Sequence, residues 1–197
     1  MIRTFVAVEL DASLRQALAQ AQAKLRSQLH KTLSPNVRIQ WVKPESVHLT
    51  LKFLGDIPED RMPGIQTALT RVASGHSRFA VNVEGLGVFP DIRAPRVLWV
   101  GLAAHGDALR RLAADVEAAL SAIDFPPESK PFHPHLTLAR IKEQARLVGR
   151  ALSDGGLLAQ ETALGELTVS VVSLMKSELK PTGSVYTCLC HRSLKEA

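Results

Sequence analysis

The sequence predicts an α+β fold built as a bilobal duplication: two mostly antiparallel sheets, helices on their outer faces, and a central cleft. Three observations predict it. The pattern His, apolar, Thr, apolar occurs twice, as His48-Leu49-Thr50-Leu51 and His135-Leu136-Thr137-Leu138. Around each copy the patterning reads strand, helix, motif strand, helix, strand, the second series starting at Val97. The two histidines lie 87 positions apart. A duplicated unit of that size predicts equivalent motif strands near an approximate twofold axis. The 197 residues suffice for one domain, residues 1–197, made of two pseudo-symmetric lobes.

Each element has its own signal. Residues 2–10 alternate in polarity and are rich in β-branched and aromatic types, which predicts a strand. Asp11 or Ser13 caps a helix from Ala12 to about Leu33, in which Leu14, Leu18, Ala21, Leu25 and Leu29 recur at helical spacing. Ser34-Pro35-Asn36 ends it. A short strand, Val37 to Val42, and a turn at Pro44-Glu45 lead to the first motif strand, Val47 to Leu54, closed by Gly55-Asp56. Pro58 opens a second helix to about Ala73, with Pro63 in its early turns. Phe79 to Phe89 reads as a strand with a bulge at Gly85 and Gly87. It pairs back through Val97 to Leu102. A third helix spans Gly106 to Ile123, with Leu109, Leu112, Val116 and Leu120 on one face. Pro126, Pro127 and Pro131 mark a loop before the second motif strand, Phe132 to Ile141. A short helix covers Glu143 to Ser153. Closing strands run from Glu161 to Leu179, with a break, and from Ser184 to His191.

The totals exclude several classes. With 46% hydrophobic and 22% charged residues, the chain fits a soluble globular protein. No run of about 18 apolar residues occurs, so no membrane helix is expected. Met1 to Val6 alternates like a strand and lacks a signal-peptide layout, so the expected location is cytoplasmic; a monomer is the expected state. Net charge is +5, which favours anionic partners such as nucleic acid, although no Lys/Arg block forms a dedicated arm. Cys188 and Cys190 sit two apart in a predicted strand, pointing the same way as reduced packing thiols. A disulfide scaffold is out of reach.

The doubled motif carries the chemistry. Alternation puts His48 and Thr50 on one strand face and Leu49, Leu51 and Phe53 on the other. His135 and Thr137 share a face in the same way. Two such strands facing each other hold two imidazoles across a cleft, each able to act as acid or base near neutrality because histidine titrates near 6.5. That is equipment for general acid–base catalysis without a metal or other cofactor. Thr50 and Thr137 can donate to non-bridging phosphate oxygens, or can simply be good strand formers. No G-x-S-x-G elbow and no phosphate-cradling Gly loop with Lys is present. His133 and His135 form an H-x-H, but no Asp or Glu lies in that motif to complete a metal site. Paired histidines alone suit a substrate with an internal leaving group, and a strained 2′,3′-cyclic phosphate is one. Phe5, Trp41 and Tyr186 can stack a nucleobase or pack the core. Lys52 shares parity with His48 and can reach a phosphate or sit exposed at the strand end.

These stretches resemble the RNA 2′,3′-cyclic phosphodiesterases, the 2′-5′ RNA ligase-like proteins of the 2H phosphoesterase superfamily. The similarity spans nearly the whole chain. It includes Arg3 to Leu10, Trp41-Val42-Lys43-Pro44-Glu45, His48 to Gly55, Gly87-Val88-Phe89-Pro90 and Pro95 to Trp99. It continues through Pro131 to Arg140, Ser177-Glu178-Leu179, Gly183 and Tyr186. The resemblance implies metal-free hydrolysis of a terminal 2′,3′-cyclic phosphate on RNA, or on a small cyclic nucleotide, to a 2′-phosphomonoester. It implies His48 as proton donor to the leaving 3′ oxygen, His135 as the acceptor that activates water, and Arg140 as a phosphate contact. By strict alternation Arg140 falls on the face away from His135, so either a strand end or bulge at Ala139 redirects it or its long side chain reaches round. Minor 2′-5′ RNA ligation is the reverse of the same chemistry. A module that binds RNA ends or nucleotides without turnover is the alternative from another class.

Overall fold

The computed structural model describes residues 1–103, 107–160, 162–180 and 183–196. The predicted helix start at Gly106 and strand start at Glu161 lie outside the described residues. Nine strands and four helices are described. The strands are β1 (Ile2–Glu9), β2 (Ile39–Trp41), β3 (His48–Ile57), β4 (Phe79–Phe89), β5 (Val97–Leu102), β6 (His135–Ile141), β7 (Ala163–Val169), β8 (Val171–Lys180) and β9 (Gly183–Ser193). The helices are α1 (Ala12–His30), α2 (Met62–Gly75), α3 (Ala108–Ser121) and α4 (Ala145–Asp154).

The strands form one curled antiparallel sheet ordered β7-β4-β5-β6-β3-β1-β8-β9, with β2 alongside β6. This corrects the expectation of two sheets. The halves meet where β3 and β6 pair through Leu49 and Leu136, and that contact makes the sheet continuous. Sequence periodicity sees each strand's faces but not which edges meet, so it could not decide between one sheet and two.

The order is symmetric about the β6–β3 seam, and the chain's halves are interleaved across it. β4 follows α2 in the first half of the chain yet pairs with β5 of the second, while β8 returns from the second half to pair with β1. The helices exchange in the same way. α1 packs against β7 and α4, and α3 packs against β3 and α2. Each half-sheet is therefore covered by one helix from its own repeat and one from the other. Leu49, Leu136 and Leu138 are fully buried on the helical side with Leu18, Leu69, Leu112 and Leu120. At about 25 cal/mol per Å² of apolar surface, burying each such side chain stabilises by about 1.5–3 kcal/mol against exposure, before chain entropy opposes it.

Local signals explain the element ends. Asp11 caps α1: its carboxylate accepts from the Leu14 N–H at 2.8 Å, and that bond holds its pKa below the ordinary value. α1 stops at His30, short of Leu33, and its buried face carries Gln22 where the periodicity placed Ala21. β3 does not close at Gly55-Asp56. Gly55 adopts φ +72° and the strand continues to Ile57. Gly85, at φ +73°, makes the bulge in β4, whereas Gly87 makes room, since a Cβ there would collide with the Trp99 ring. Cys188 and Cys190 do not point the same way. The β8–β9 ladder pairs Met175 with Cys188 and Leu174 with Cys190, so a bulge at Leu189 sends the two thiols to opposite faces.

Candidate active site

β3 and β6 lie side by side at the seam. Their helix-facing residues, Leu49 and Leu136, are opposite one another. His48, Thr50, His135 and Thr137 therefore all leave from the opposite, open face of the sheet. Antiparallel pairing about that point sets His48 toward Thr137 and Thr50 toward His135. All four motif side chains are half-buried.

Both imidazoles are fixed alike. His48 Nδ1 lies 2.9 Å from the Ser46 carbonyl oxygen, and His135 Nδ1 lies 2.8 Å from that of His133. A carbonyl only accepts, so Nδ1 carries the hydrogen and Nε2 is left to give or take a proton. Burial is the largest influence on each ring and pushes both below the ordinary value of 6.5. The carbonyl bond acts upward on each. His48 is also drawn down by Arg140 and His135 and up by Glu9; His135 is drawn down by His133 and Arg140. Near pH 7 this favours the neutral ring, a competent base, while the protonated form is the one that can act as an acid.

Aromatic side chains wall both histidines. Phe5 stacks on His48 with centroids 4.6 Å apart, and Tyr186 meets His48 edge-on at 4.9 Å. Across the seam, Phe89 meets His135 edge-on at 5.0 Å and Trp99 is tilted against it at 6.2 Å. The His133 ring is 6.5 Å from that of His135, and among the described residues no cluster of three or more His, Cys, Asp or Glu could hold a metal ion.

The two motifs also share a bulge. The β1–β3 ladder pairs Ala7 with Thr50 and then Val6 with Lys52, skipping Leu51. The β5–β6 ladder pairs Trp99 with Thr137 and then Leu98 with Ala139, skipping Leu138. Each extra residue inverts the alternation beyond it. Lys52 and Ala139 turn inward, and Phe53 and Arg140 turn out. Arg140 thus reaches the histidine face by a bulge one residue earlier than the sequence placed it. Its charge bears on both rings.

Three expectations are corrected. Lys52 is not free to meet a phosphate. It is 1% exposed, and its Nζ donates to both Glu117 carboxylate oxygens, at 2.7 and 2.8 Å, and to the Pro126 carbonyl at 2.9 Å. Trp41 pairs with buried Ala139 and packs on the main core, on the helical side of the sheet. Phe5 is in the site but 2% exposed, so its ring backs His48 and has no open face for a base. Tyr186 lies against His48 and Phe5.

Other residues escaped the sequence reading. Gln22 donates from α1 to the Leu138 carbonyl at 2.9 Å and to the Val42 carbonyl at 2.8 Å, pinning the bulge that turns Arg140. Phe53 is 60% exposed, because the bulge reverses its predicted face. Phe89, Trp99 and Glu9 join the site through strand pairing. An alternating aromatic in the strand predicted beside each motif was the available signal; register was not.

Two His-x-Thr strands thus meet at the seam of one antiparallel sheet. The match to known proteins is specific: this chain belongs to the LigT-like phosphoesterase family, whose pattern it fits twice, over residues 8–99 and 100–186. An RNA 2′,3′-cyclic phosphodiesterase of Thermus thermophilus is 37% identical over 198 residues, covering 98% of this chain and 91% of the relative. Another protein of that name, from Methanothermobacter thermautotrophicus, is 32% identical over 94% of this chain and 95% of its own. A crystal structure of a Thermus thermophilus protein superposes with a TM-score of 0.79 at 35% identity, over 99% of both chains. E. coli LigT shares the fold, with a TM-score of 0.75 at 23% identity over 99% of both chains. No helix among the described residues is long and apolar enough to cross a membrane.

Proposed function

We propose that this chain hydrolyses the terminal 2′,3′-cyclic phosphate of RNA to a 2′-phosphomonoester, with His48 and His135 as general acid and base and without a metal. The observation that carries the reading is the pair of imidazoles on one sheet face, each with Nδ1 tied to a carbonyl and Nε2 left for proton transfer. The curated relatives, named RNA 2′,3′-cyclic phosphodiesterase at 32% and 37% identity, support the substrate.

In the step, His135 Nε2 takes a proton from water as the water oxygen bonds to phosphorus. The bond from phosphorus to O3′ breaks, and O3′ takes a proton from His48 Nε2. Each transfer contributes about 10²–10⁴-fold. Thr50, Thr137 and Arg140 hold the non-bridging oxygens, where charge accumulates. Tyr186 offers the base an aromatic edge. The two half-sheets act as one catalytic unit, since each supplies one histidine.

Purified protein in EDTA, given an oligonucleotide ending in a 2′,3′-cyclic phosphate, is expected to yield only the 2′-phosphate. A 3′-phosphate product, or activity lost to EDTA and restored by a metal, sinks the mechanism. Supplying a 5′-hydroxyl acceptor should give slight 2′-5′ joining, because a hydroxyl then replaces water. If the unmodified protein binds such ends without turnover, the non-catalytic binding reading replaces this one.

A further inference from the structure

The seam repeats almost every feature of one histidine around the other. Each has its Nδ1 on the carbonyl two residues back, a threonine two residues on, and a bulge at the residue after that threonine. The repetition fails at the ladder partner of each histidine. The residue paired with His48 is Glu9 on β1; the residue paired with His135 is Gly101 on β5. Directly opposed residues of an antiparallel ladder share a face, with Cβ atoms about 4.5–5.5 Å apart. A carboxylate therefore stands beside one imidazole and bare backbone beside the other. No larger residue fits readily at Gly101, where a Cβ would come within 3.0 Å of the Glu84 carbonyl oxygen. Glu9 is itself oriented: Ser173 Oγ donates to its Oε2 at 3.1 Å.

We propose that Glu9 is a positioning residue that selects His48 as the proton donor of the pair. This rests on the phosphodiesterase reading above. The charged groups facing His48 are Glu9 from β1 and Arg140 and His135 from β6, with the Tyr186 phenol from β9. Those facing His135 are His133 and Arg140. Arg140 acts on both rings in the same sense. Glu9 and His133 each act on one ring, in opposite senses: the carboxylate favours the imidazolium of His48, and the second imidazole disfavours that of His135. In the reactive form His48 carries the proton that Glu9 favours, and as the bond from phosphorus to O3′ breaks that proton passes to O3′. His135, kept neutral, takes the proton of the attacking water, so one water is added and both rings exchange protonation states.

The experiment is a two-dimensional NMR titration of the imidazole carbons of intact protein, comparing unmodified, Glu9→Gln and Glu9→Asp chains. Glu9→Gln should lower the His48 midpoint by roughly half a unit or more and leave that of His135 in place. Glu9→Asp should restore part of the difference. With 2′,3′-cyclic AMP as substrate, the Glu9→Gln rate should fall several-fold above neutral pH, in kcat and not KM, and approach the unmodified rate at lower pH. An unmoved His48 midpoint, or equal displacement of both rings, overturns the proposal whatever the turnover. Absence of turnover by the unmodified chain counts instead against the phosphodiesterase reading, because the midpoints need none. Glu9 is exposed and glutamine isosteric, and circular dichroism checks that each variant is folded.

Discussion

The two motif strands invite comparison, because β3 and β6 are built alike and do different things. Both bulge at the residue after the threonine. In β6 the inversion buries Ala139 and delivers Arg140 to the histidine face. In β3 the same inversion buries Lys52 and delivers Phe53. One strand thereby gives the face a cation, and the other gives it an aromatic ring and stores its cation inside, against Glu117. A duplicated backbone thus yields an asymmetric site through side chains at matched positions. The proposed reaction would use that asymmetry, because a leaving group and an attacking water require opposite proton transfers.

The largest expected effect comes from removing what the strands share. His48→Ala or His135→Ala should each lower kcat on a 2′,3′-cyclic phosphate by about 10²–10⁴-fold. If either variant keeps more than a tenth of the rate, the two strands are not catalytic partners.

Next comes the stored cation of β3. Glu117→Ala leaves the Lys52 ammonium buried without its carboxylate, at a cost of about 3 kcal/mol. For a chain of this length that lowers Tm by roughly 6–12 °C. Lys52→Met, which removes the buried charge itself, should cost less than a third as much. Calorimetry of the two variants decides, and equal losses would mean that the lost ion pair, and not an ammonium left buried alone, sets the cost.

On β6 the corresponding test is Arg140→Met. Losing charge-assisted bonds of about 1.5–3 kcal/mol to phosphate oxygens should reduce kcat/KM roughly 10–100-fold while Tm stays nearly constant. A smaller effect is expected one contact further back. Gln22→Leu strips a donor from the Leu138 carbonyl, costs about 1–2 kcal/mol, and should lower kcat/KM a few-fold by loosening the bulge. Wild-type kinetics in that variant would show that the bulge needs no pin.

The smallest effect is on stability against pH. Burial depresses both imidazoles, so the unfolded chain binds protons more readily than the folded one as the pH falls below about 6.5. The stability these neutral rings contribute is complete above that value and is lost as the pH drops from there through the folded-state pKa. Tm should therefore decline from pH 7.5 to 5.5 more steeply in the unmodified chain than in a His48→Gln, His135→Gln double variant. Parallel slopes would show that the rings titrate normally.

The local half of this molecule was legible in its residues. The doubled motif, the order of strands and helices, and the face shared by His48 with Thr50 and by His135 with Thr137 follow from periods of 2 and 3.6, which neighbouring residues carry themselves. Alternation also showed that Arg140, given a phosphate role only by the family resemblance, starts on the wrong face for it, without saying what redirects it. Lys52, Phe53 and Trp41 were misplaced for one reason: a bulge, or the choice of partner strand, changes which face a residue occupies without changing a letter of the local pattern. Glu9, Gln22 and Trp99 lie 39, 113 and 36 positions from the motif histidines they serve, counted to His48, His135 and His135. Sequence determined two strands, each with an imidazole and a hydroxyl. Tertiary structure decided that they meet at one seam, that one imidazole has a carboxylate beside it, and that one cation faces out while the other is locked inside. Pairing register and long-range packing settle those points, and neither leaves a periodic trace in the chain.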